Sequence, residues 1–559
     1  MKRFSILFII FLSGLWILPV EIPAFAPNIT LDIPEKPGHF FSGEKVARTV
    51  VLKNQLPTVQ DLVISWKTVS LTAVIQKGKT AVELQPGETK EILFTLKIPK
   101  ARCRVELLWQ ISLFSNKSLL QEKEVKHTVF PKKLSFDIDK AISRSQVGLY
   151  DPDEEIKPYL KEFGWNLIPL YANIKSLEGF NGKLLILNGR ALMKAFSFET
   201  DPQKFPFRDY FRQQIERGMN IIVFDPVFLE NADAVPAGEE QQEPLCLSRI
   251  FALGHPVFYD LSEDDLCWWR KDGKVAGNEM TIKDWKGNLR ILANDAGRQE
   301  EKAFLVEYPV GRGRWLFCSY DVLEKFAAEP VARILLANLV RYALTESEPF
   351  KKTLIAADPE GVPVKFFREL EIGISNVLDN QDHYKALIVS ADKEEVEYLL
   401  KKNPRFFTNL KEFVRNGGLL LILNLNPGTL EHFKDLLPPD ILLRDYSLDG
   451  ALKIDQSAQL LRGVSEDRLK DLFMKTEGEQ IDPENRIANY ILDFKESGSA
   501  HGFTSPCAIA KFQLDKGEIV VSQIKFWESD KKDAALQTIS QFLTNLGIQI
   551  GDGKEKHSG

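Results

Sequence analysis

At 559 residues the chain is too long to close around one hydrophobic core, and about 150 residues per domain predicts three or four domains. A composition that is 44% hydrophobic and 27% charged is that of a soluble globular protein, and it excludes a disordered or membrane-embedded chain. With 72 basic against 78 acidic side chains, a net charge of −6 and no long basic run, neither nucleic acid nor an anionic membrane surface is expected as a partner.

Lys2 and Arg3 precede an uncharged apolar stretch over residues 4–20, and Ala24-Phe25-Ala26 offers small residues at the two positions a signal peptidase reads. Residues 1–26 are therefore expected to be a signal peptide or, because Pro27 disfavours cleavage, an N-terminal anchor. The expected location is periplasmic, extracellular or tethered to the membrane by this segment, which is the one membrane contact expected. Export puts Cys103, Cys246, Cys267, Cys318 and Cys507 where disulfides can form, but the number is odd and no C-x-x-C pair occurs. Cys318 and Cys507 read as buried thiols. Cys246 and Cys267 lie close enough in sequence to invite a bridge, which spacing alone does not fix.

Residues 27–132 read as short strands at 46–52, 61–67, 91–97 and 105–112, rich in β-branched and aromatic residues. Gly43, Pro57, Gly78 and Pro86-Gly87 punctuate them as turns, the spacing of an all-β sandwich of immunoglobulin-like size. From residue 147 the pattern changes to alternating strands and helices. Strands are expected at 147–150, 166–170, 183–187 and 220–224, with helices over 154–163, up to Arg217 and over 324–344. Apolar strands of about five residues between amphipathic helices imply a mostly parallel sheet covered on both faces.

This pattern runs twice, over 145–345 and 352–549, joined near residues 346–350 and followed by a polar tail, 550–559. Residues 183–189 match 385–391, and 210–224 match 409–423. Ser262-Glu-Asp-Asp-Leu266 returns as Ser465-Glu-Asp-Arg-Leu469, and residues 310–317 return at 514–521. An offset near two hundred residues at all four places, in the same order, marks two copies of one domain. Gly218 and Gly418 are set opposite each other at a helix end, and seven residues on stand Asp225 and Leu425.

Several residues carry a resemblance. They are Gly254-His-Pro-Val-Phe-Tyr-Asp-Leu-Ser-Glu-Asp-Asp-Leu-Cys-Trp-Trp-Arg270 and Glu307-Tyr-Pro-Val-Gly-Arg-Gly-Arg-Trp-Leu-Phe-Cys-Ser-Tyr-Asp-Val-Leu-Glu-Lys325. Glu329-Pro-Val-Ala-Arg333 and Leu336-Ala-Asn-Leu-Val-Arg-Tyr342 follow. In these the first copy resembles the class I glutamine-amidotransferase-like, flavodoxin-related α/β domain, in the version that accompanies β-galactosidase-type glycoside hydrolases as a non-catalytic domain. The second copy, with Gly463-Val-Ser-Glu-Asp467 and Lys516-Gly-Glu518, resembles it through the first. The N-terminal module is similar to the immunoglobulin-like domains of such enzymes. The implied fold is a β-sandwich followed by two three-layer α/β domains, and the implied partner is carbohydrate or a carbohydrate-active enzyme.

The active members of that family place a Cys nucleophile on the turn after the strand. Here that turn reads as Asp225 in one copy and Leu425 in the other, so no amidotransferase activity and no catalytic residue is expected. The seven histidines form no His-x-His or His-Glu-x-x-His pair, and Gly311-Arg-Gly-Arg314 has neither nucleotide-loop spacing; no metal and no cofactor are expected. Gly311 and Lys516-Gly-Glu518 read as matching tight turns between antiparallel strands. Trp268, Trp269 and Arg270, with Trp285 nearby, are the candidate binding face, since indole faces stack on sugar rings. Filling space beside the sheet is the competing role. A glycoside hydrolase would need convergent carboxylates, for which Asp151, Asp225 and Glu263 are the candidates, although Ser262-Glu-Asp-Asp265 reads first as a helix cap. The chain has no room for a catalytic barrel of about 250 residues. The expectation is an exported, non-catalytic binding or scaffolding protein; the alternatives are a glycoside hydrolase or its subunit, and a cell-envelope assembly protein.

Overall fold

The computed structural model describes residues 28–34, 36–132, 146–162, 165, 167–170, 180–191, 211, 213–226, 237–252, 254–270, 272–281, 288–296, 302–345, 350–370, 372–375, 384–446, 452–455, 459–461, 464, 466, 469, 472, 488–529 and 531–550. The expected export signal, Trp285 and residues 551–559 of the polar tail lie outside them. No helix among the described residues is long and apolar enough to cross a membrane. The chain divides into two compact units, residues 1–37 with 42–129, and residues 38–41 with 130–559.

The first unit is all β. Its strands are β1 (Ile29–Asp32), β2 (Lys45–Asn54), β3 (Gln60–Ser70), β4 (Ala73–Leu84), β5 (Thr89–Lys97), β6 (Val105–Ser115) and β7 (Ser118–Phe130). One antiparallel sheet runs β1-β2-β5 and the other includes β7-β6-β3-β4. Alternate residues turn inward, burying Leu62 and Ile64 on β3 and Leu107, Trp109, Ile111 and Leu113 on β6. Phe94 on β5 ties the sheets together, its ring 5.7 Å from Trp66 and 5.9 Å from Trp109. Gly78, expected in a turn, instead sits inside β4 opposite Trp66. A Cβ there would lie 2.9 Å from the indole, so the glycine makes room for the ring.

The second unit is mixed α/β and holds both copies. Copy 1 has β8 (Val147–Tyr150), α1 (Lys157–Glu162), β9 (Ile168–Leu170), β10 (Leu184–Asn188), β11 (Asn220–Phe224), β12 (Ala237–Leu245), β13 (Ser248–Ile250), β14 (Ala276–Thr281), β15 (Arg290–Asp295), β16 (Lys302–Val310), β17 (Gly313–Cys318) and α2 (Pro330–Leu344). Its sheet order is β9-β8-β10-β11-β17-β16-β14-β12. It is parallel from β9 to β17 and antiparallel beyond. The closing helix is shorter than expected because Pro330 starts it. Proline lacks an N–H and suits the first helical position, and the Glu329 side chain caps Val331 N at 3.2 Å.

Copy 2 has β18 (Thr353–Ala356), α3 (Val362–Arg368), β19 (Gly373–Ser375), β20 (Ala386–Ser390), α4 (Lys393–Lys402), α5 (Phe406–Arg415), β21 (Leu419–Leu423), β22 (Ala500–Gly502), β23 (Ile509–Leu514), β24 (Gly517–Ser522) and α6 (Lys532–Asn545). Its order, β19-β18-β20-β21-β24-β23-β22, repeats that of copy 1 through six strands; its last strand, β22, pairs with β23 where β15, not β14, pairs with β16. The register repeats as well. Leu184 faces Asn220 as Ala386 faces Leu419, and Val310 faces Gly313 as Leu514 faces Gly517.

Both sheets are covered on two faces, and the period of two is visible in the cores. Ile222 and Phe224 pack on one side of β11 while Ile221 and Val223 pack on the other; Leu421 and Leu423, against Leu420 and Ile422, do the same on β21. One glycine position shows how closely the frames agree. A Cβ on Gly313 would run into the carbonyl oxygens of Met219 and Ile215, and one on Gly517 into those of Gly418 and Val414. The strand end must pass against the preceding helix end in both copies, and only glycine allows it.

Candidate functional site

Open α/β sheets take ligands beyond the carboxyl ends of their parallel strands, where the strand order reverses. In copy 1 the reversal falls between β8 and β10, and the chain's own side chains fill it. Asp151, just past β8, accepts hydrogen bonds from the backbone N–H groups of Glu155 (3.0 Å), Ile156 (2.7 Å) and Lys157 (2.9 Å), and from Asn188 Nδ2 at 3.2 Å. Asn188, the last residue of β10, also donates to Glu155 Oε2 at 2.8 Å. The Asp151 carboxylate is saturated as the cap of α1, with no lone pair left for acid–base work.

The turn after β11 is the second feature of this edge. Asp225 stands there with φ +51°, and Asn424 stands after β21 with φ +53°. Their backbone N–H groups bond to equivalent carbonyls, Cys318 O at 3.0 Å and Ser522 O at 2.9 Å. The left-handed glycines two residues before these strands are Gly218 (φ +114°) and Gly417 (φ +102°). The register that paired Gly418 with Gly218 therefore slips by one, and Asn424, not Leu425, is the counterpart of Asp225. Leu425 is buried in the core. Each elbow side chain is tied to the neighbouring turn: Asp225 pairs with Arg190, and Asn424 bonds to Asp392, which occupies the position of Arg190. Asp and Asn tolerate the left-handed region better than most residues.

Asp321, three residues past β17, was not singled out by sequence. Burial pushes its carboxyl up to about 6; Glu324 and Asp225 add to the rise, and Lys274 and Lys325 oppose it. Its Oδ2 is buried without a hydrogen-bond partner among the described residues. Asp225 and Asp321 thus follow adjacent parallel strands and repel each other. Copy 2 has neither acid: Asn424 replaces the first and Lys525, paired with Glu528 at 2.8 Å, replaces the second.

Glu263 does not join this edge. It opens the 3-10 turn Glu263–Leu266, and its Oε2 accepts from Ile250 N at 3.2 Å. Glu466 accepts from Ile454 N at 2.8 Å in the same way, so this glutamate is a strut repeated in both copies. Asp151, Asp225 and Glu263 therefore do not converge. Asp151 and Asp225 are separated by the width of β10, about 10 Å between the flanking strands.

The candidate binding face is largely built into the core. Trp269 is fully buried, stacked on Tyr320 at 5.7 Å, with Nε1 donating to Asp265 O at 3.0 Å. No face of this indole remains for a sugar. Arg270 binds inward, its N–H on Glu329 Oε2 at 3.0 Å and its guanidinium on Ala328 O at 2.9 Å and over the Phe40 ring. Trp268 is half-buried at φ +55°, and is the one member of the trio with indole surface to offer.

No family model matches the chain, and no curated protein matches it. Among solved structures, a β-glucosidase from Listeria innocua in complex with glucose is 19% identical over 18% of this chain and 16% of its own, with a TM-score of 0.15. Trypsin-activated α-2-macroglobulin from Escherichia coli is 22% identical over 19% and 7%, at 0.16. An alkylpurine DNA glycosylase from Pseudomonas fluorescens is 16% identical over 18% and 30%, at 0.14. Overlaps this short and loose assign neither a fold nor an activity.

All five cysteines are free; burial pushes the Cys318 thiol far up and that of Cys507 to about 12, so neither supplies a thiolate near neutral pH. Cys267 Sγ lies 3.5 Å from Ser248 O and 3.4 Å from Glu263 O, while Cys246 Sγ packs near Gly273, so the thiols of this pair are not bridged. No group of His, Cys, Asp or Glu among the described residues is arranged to hold a metal ion.

Proposed function

We propose that the chain is an exported, non-catalytic binding or scaffolding protein, in which an immunoglobulin-like module precedes two amidotransferase-like α/β domains that lack the nucleophile. Carbohydrate or a carbohydrate-active enzyme is the partner. The observation that carries this reading is the pair of left-handed elbows. They hold Asp225 and Asn424, each tied to the adjacent turn, where a thiol would have to stand for acyl transfer. The shared strand order of the two sheets supports the domain reading.

The test is ammonia release from glutamine and a panel of simple amides. No turnover is expected, and turnover abolished by Asp225→Asn would overturn the reading. Tryptophan fluorescence titrated with oligosaccharides reports through Trp268. A shift supports carbohydrate as the partner; a flat response across a broad panel removes it, leaving assembly with other envelope proteins, read by co-purification.

A second reading, hydrolysis of glycosides by a carboxylate pair, is favoured by one arrangement: Asp225 and Asp321 follow adjacent parallel strands, and burial pushes the Asp321 carboxyl up to about 6. Chromogenic glycosides test it. Turnover lost in both Asp225→Asn and Asp321→Asn supports it, and silence across the panel removes it.

A further inference from the structure

The closing helices of the two copies are held in different ways. In copy 1, Asn220 at the start of β11 donates Nδ2 to Ala343 O, near the C-terminal end of α2, at 2.5 Å. Copy 1 thus supplies its own donor to carbonyls that the helix leaves open. The matching position of copy 2 is Leu419, which has no polar side-chain atom to offer.

The α6 end closes on itself through Gly547 (φ +70°), with Gly547 N on Thr544 O at 3.0 Å and Ile548 N on Leu543 O at 2.9 Å. Lys351 of copy 2 donates Nζ to Leu546 O at 3.0 Å, and the rest of the side-chain anchorage of that turn comes from the other copy. Asn288 of copy 1 donates Nδ2 to Thr544 Oγ1 at 3.0 Å and to Ile548 O at 2.9 Å, and its Oδ1 accepts from Ile550 N at 3.0 Å. All three bonds of this buried amide go to copy 2.

Arg290 on β15 adds a fourth tie, donating Nη2 to Thr544 O at 2.9 Å while Nη1 donates to Glu307 Oε2 at 2.9 Å. Glu307 is itself a buried hub in copy 1, accepting from Arg314 at 3.3 Å and from the Tyr342 hydroxyl at 2.6 Å. Copy 2's own Lys351 completes the grip, with its N–H on Gly547 O at 2.6 Å and its carbonyl accepting from Gln549 N at 3.1 Å. Ile548 and Ile550 are core residues of copy 2, so the grip reaches its interior.

We propose that Asn288 and Arg290 act as a lock: copy 1 adds its own buried bonds to those by which copy 2 holds the end of its closing helix, and the two copies open as one cooperative unit. Buried amides with all their partners met are costly to separate, since each lost bond strands a polar group. The copies are therefore one rigid body rather than two beads on a linker.

Hydrogen exchange of the full chain under mild denaturant tests this. In the wild type, amides of α6 and of β16 and β17 should exchange through one shared opening. Asn288→Ala leaves the Glu307 hub intact; it should speed exchange across α6 at least about tenfold while β16 and β17 keep their rate. Thr544→Val should act in the same direction, and Asn220→Leu should speed α2 alone. Separate openings of α6 and β16–β17 in the wild type would overturn the proposal. So would an Asn288→Ala effect confined to the Ile550 amide.

Discussion

The two α/β copies share one frame and disagree about charge. Six strands run in the same order and register, the same glycine passes the same helix end, and both elbows stand at φ near +50°. On that frame Glu307–Arg314 in copy 1 becomes Lys511–Glu518 in copy 2, the same diagonal with its polarity reversed. Arg190–Asp225 becomes Asp392–Asn424, and Asp321 becomes Lys525. The backbone constraints were kept because hard contacts enforce them, whereas a polar pair needs complementarity and not a fixed sign. Burial separates the copies further. Glu307 and Arg314 lie inside under Tyr342 and Arg290, while Lys511 and Glu518 are more than a third exposed.

That contrast predicts the largest difference. Burial alone would push Glu307 up, but Arg290, His255 and Arg314 hold it well below the usual carboxylate range. Its contribution is therefore present above the ordinary Glu range and lost as pH falls through its lowered value. Glu307→Ala strands buried guanidinium groups and should cost about 3–5 kcal/mol, read by denaturant unfolding, whereas Lys511→Ala should cost under about 1 kcal/mol. Equal effects would erase the distinction between the two pairs.

Gly313→Ala and Gly517→Ala come next and should behave alike, each losing about 1–3 kcal/mol, because each added methyl group meets backbone that cannot move away. A tolerant copy would show that the frames differ where they look the same.

Asp321 gives a smaller effect of opposite sign. Its folded carboxyl keeps a proton to about pH 6 and the unfolded one releases it near about 4. Its favourable contribution is thus full below about 4 and lost as pH rises through 6. Asp321→Asn should stabilise copy 1 by about 2 kcal/mol at pH 7 and change little at pH 4, while the same-site change in copy 2, Lys525→Asn, should show no gain at either pH. The smallest effect is at the elbows: Asp225→Gly and Asn424→Gly each relieve a left-handed residue and should shift stability by no more than about 1 kcal/mol.

Much of this frame was legible in the chain. Runs such as residues 184–187 and 419–423 are apolar at every position, which only a sheet covered on both faces can use. The hairpin turns were readable from their flanking strands, but in copy 2 the turn is Asp515-Lys516, with Asp515 at φ +51° where copy 1 has Gly311, and Gly517 belongs to the strand that follows. The site was less so. Asn424 was missed because Gly417 and Gly418 look alike in sequence, and only φ tells which is left-handed. Gly78 looked like a turn because the indole it accommodates comes from another strand. Trp268 and Trp269 formed a pair in sequence, yet Tyr320 and Asp265 draw the second into the core. Asp321 carried no signal, since its raised pKa comes from burial by distant segments.

The proposal that neither elbow carries acyl-transfer chemistry is the one most open to direct test. The most direct measurement is ammonia release from glutamine and simple amides by the wild-type chain and by Asp225→Asn, side by side. The prediction is no release above buffer from either. Release by the wild type that disappears in Asp225→Asn would contradict it.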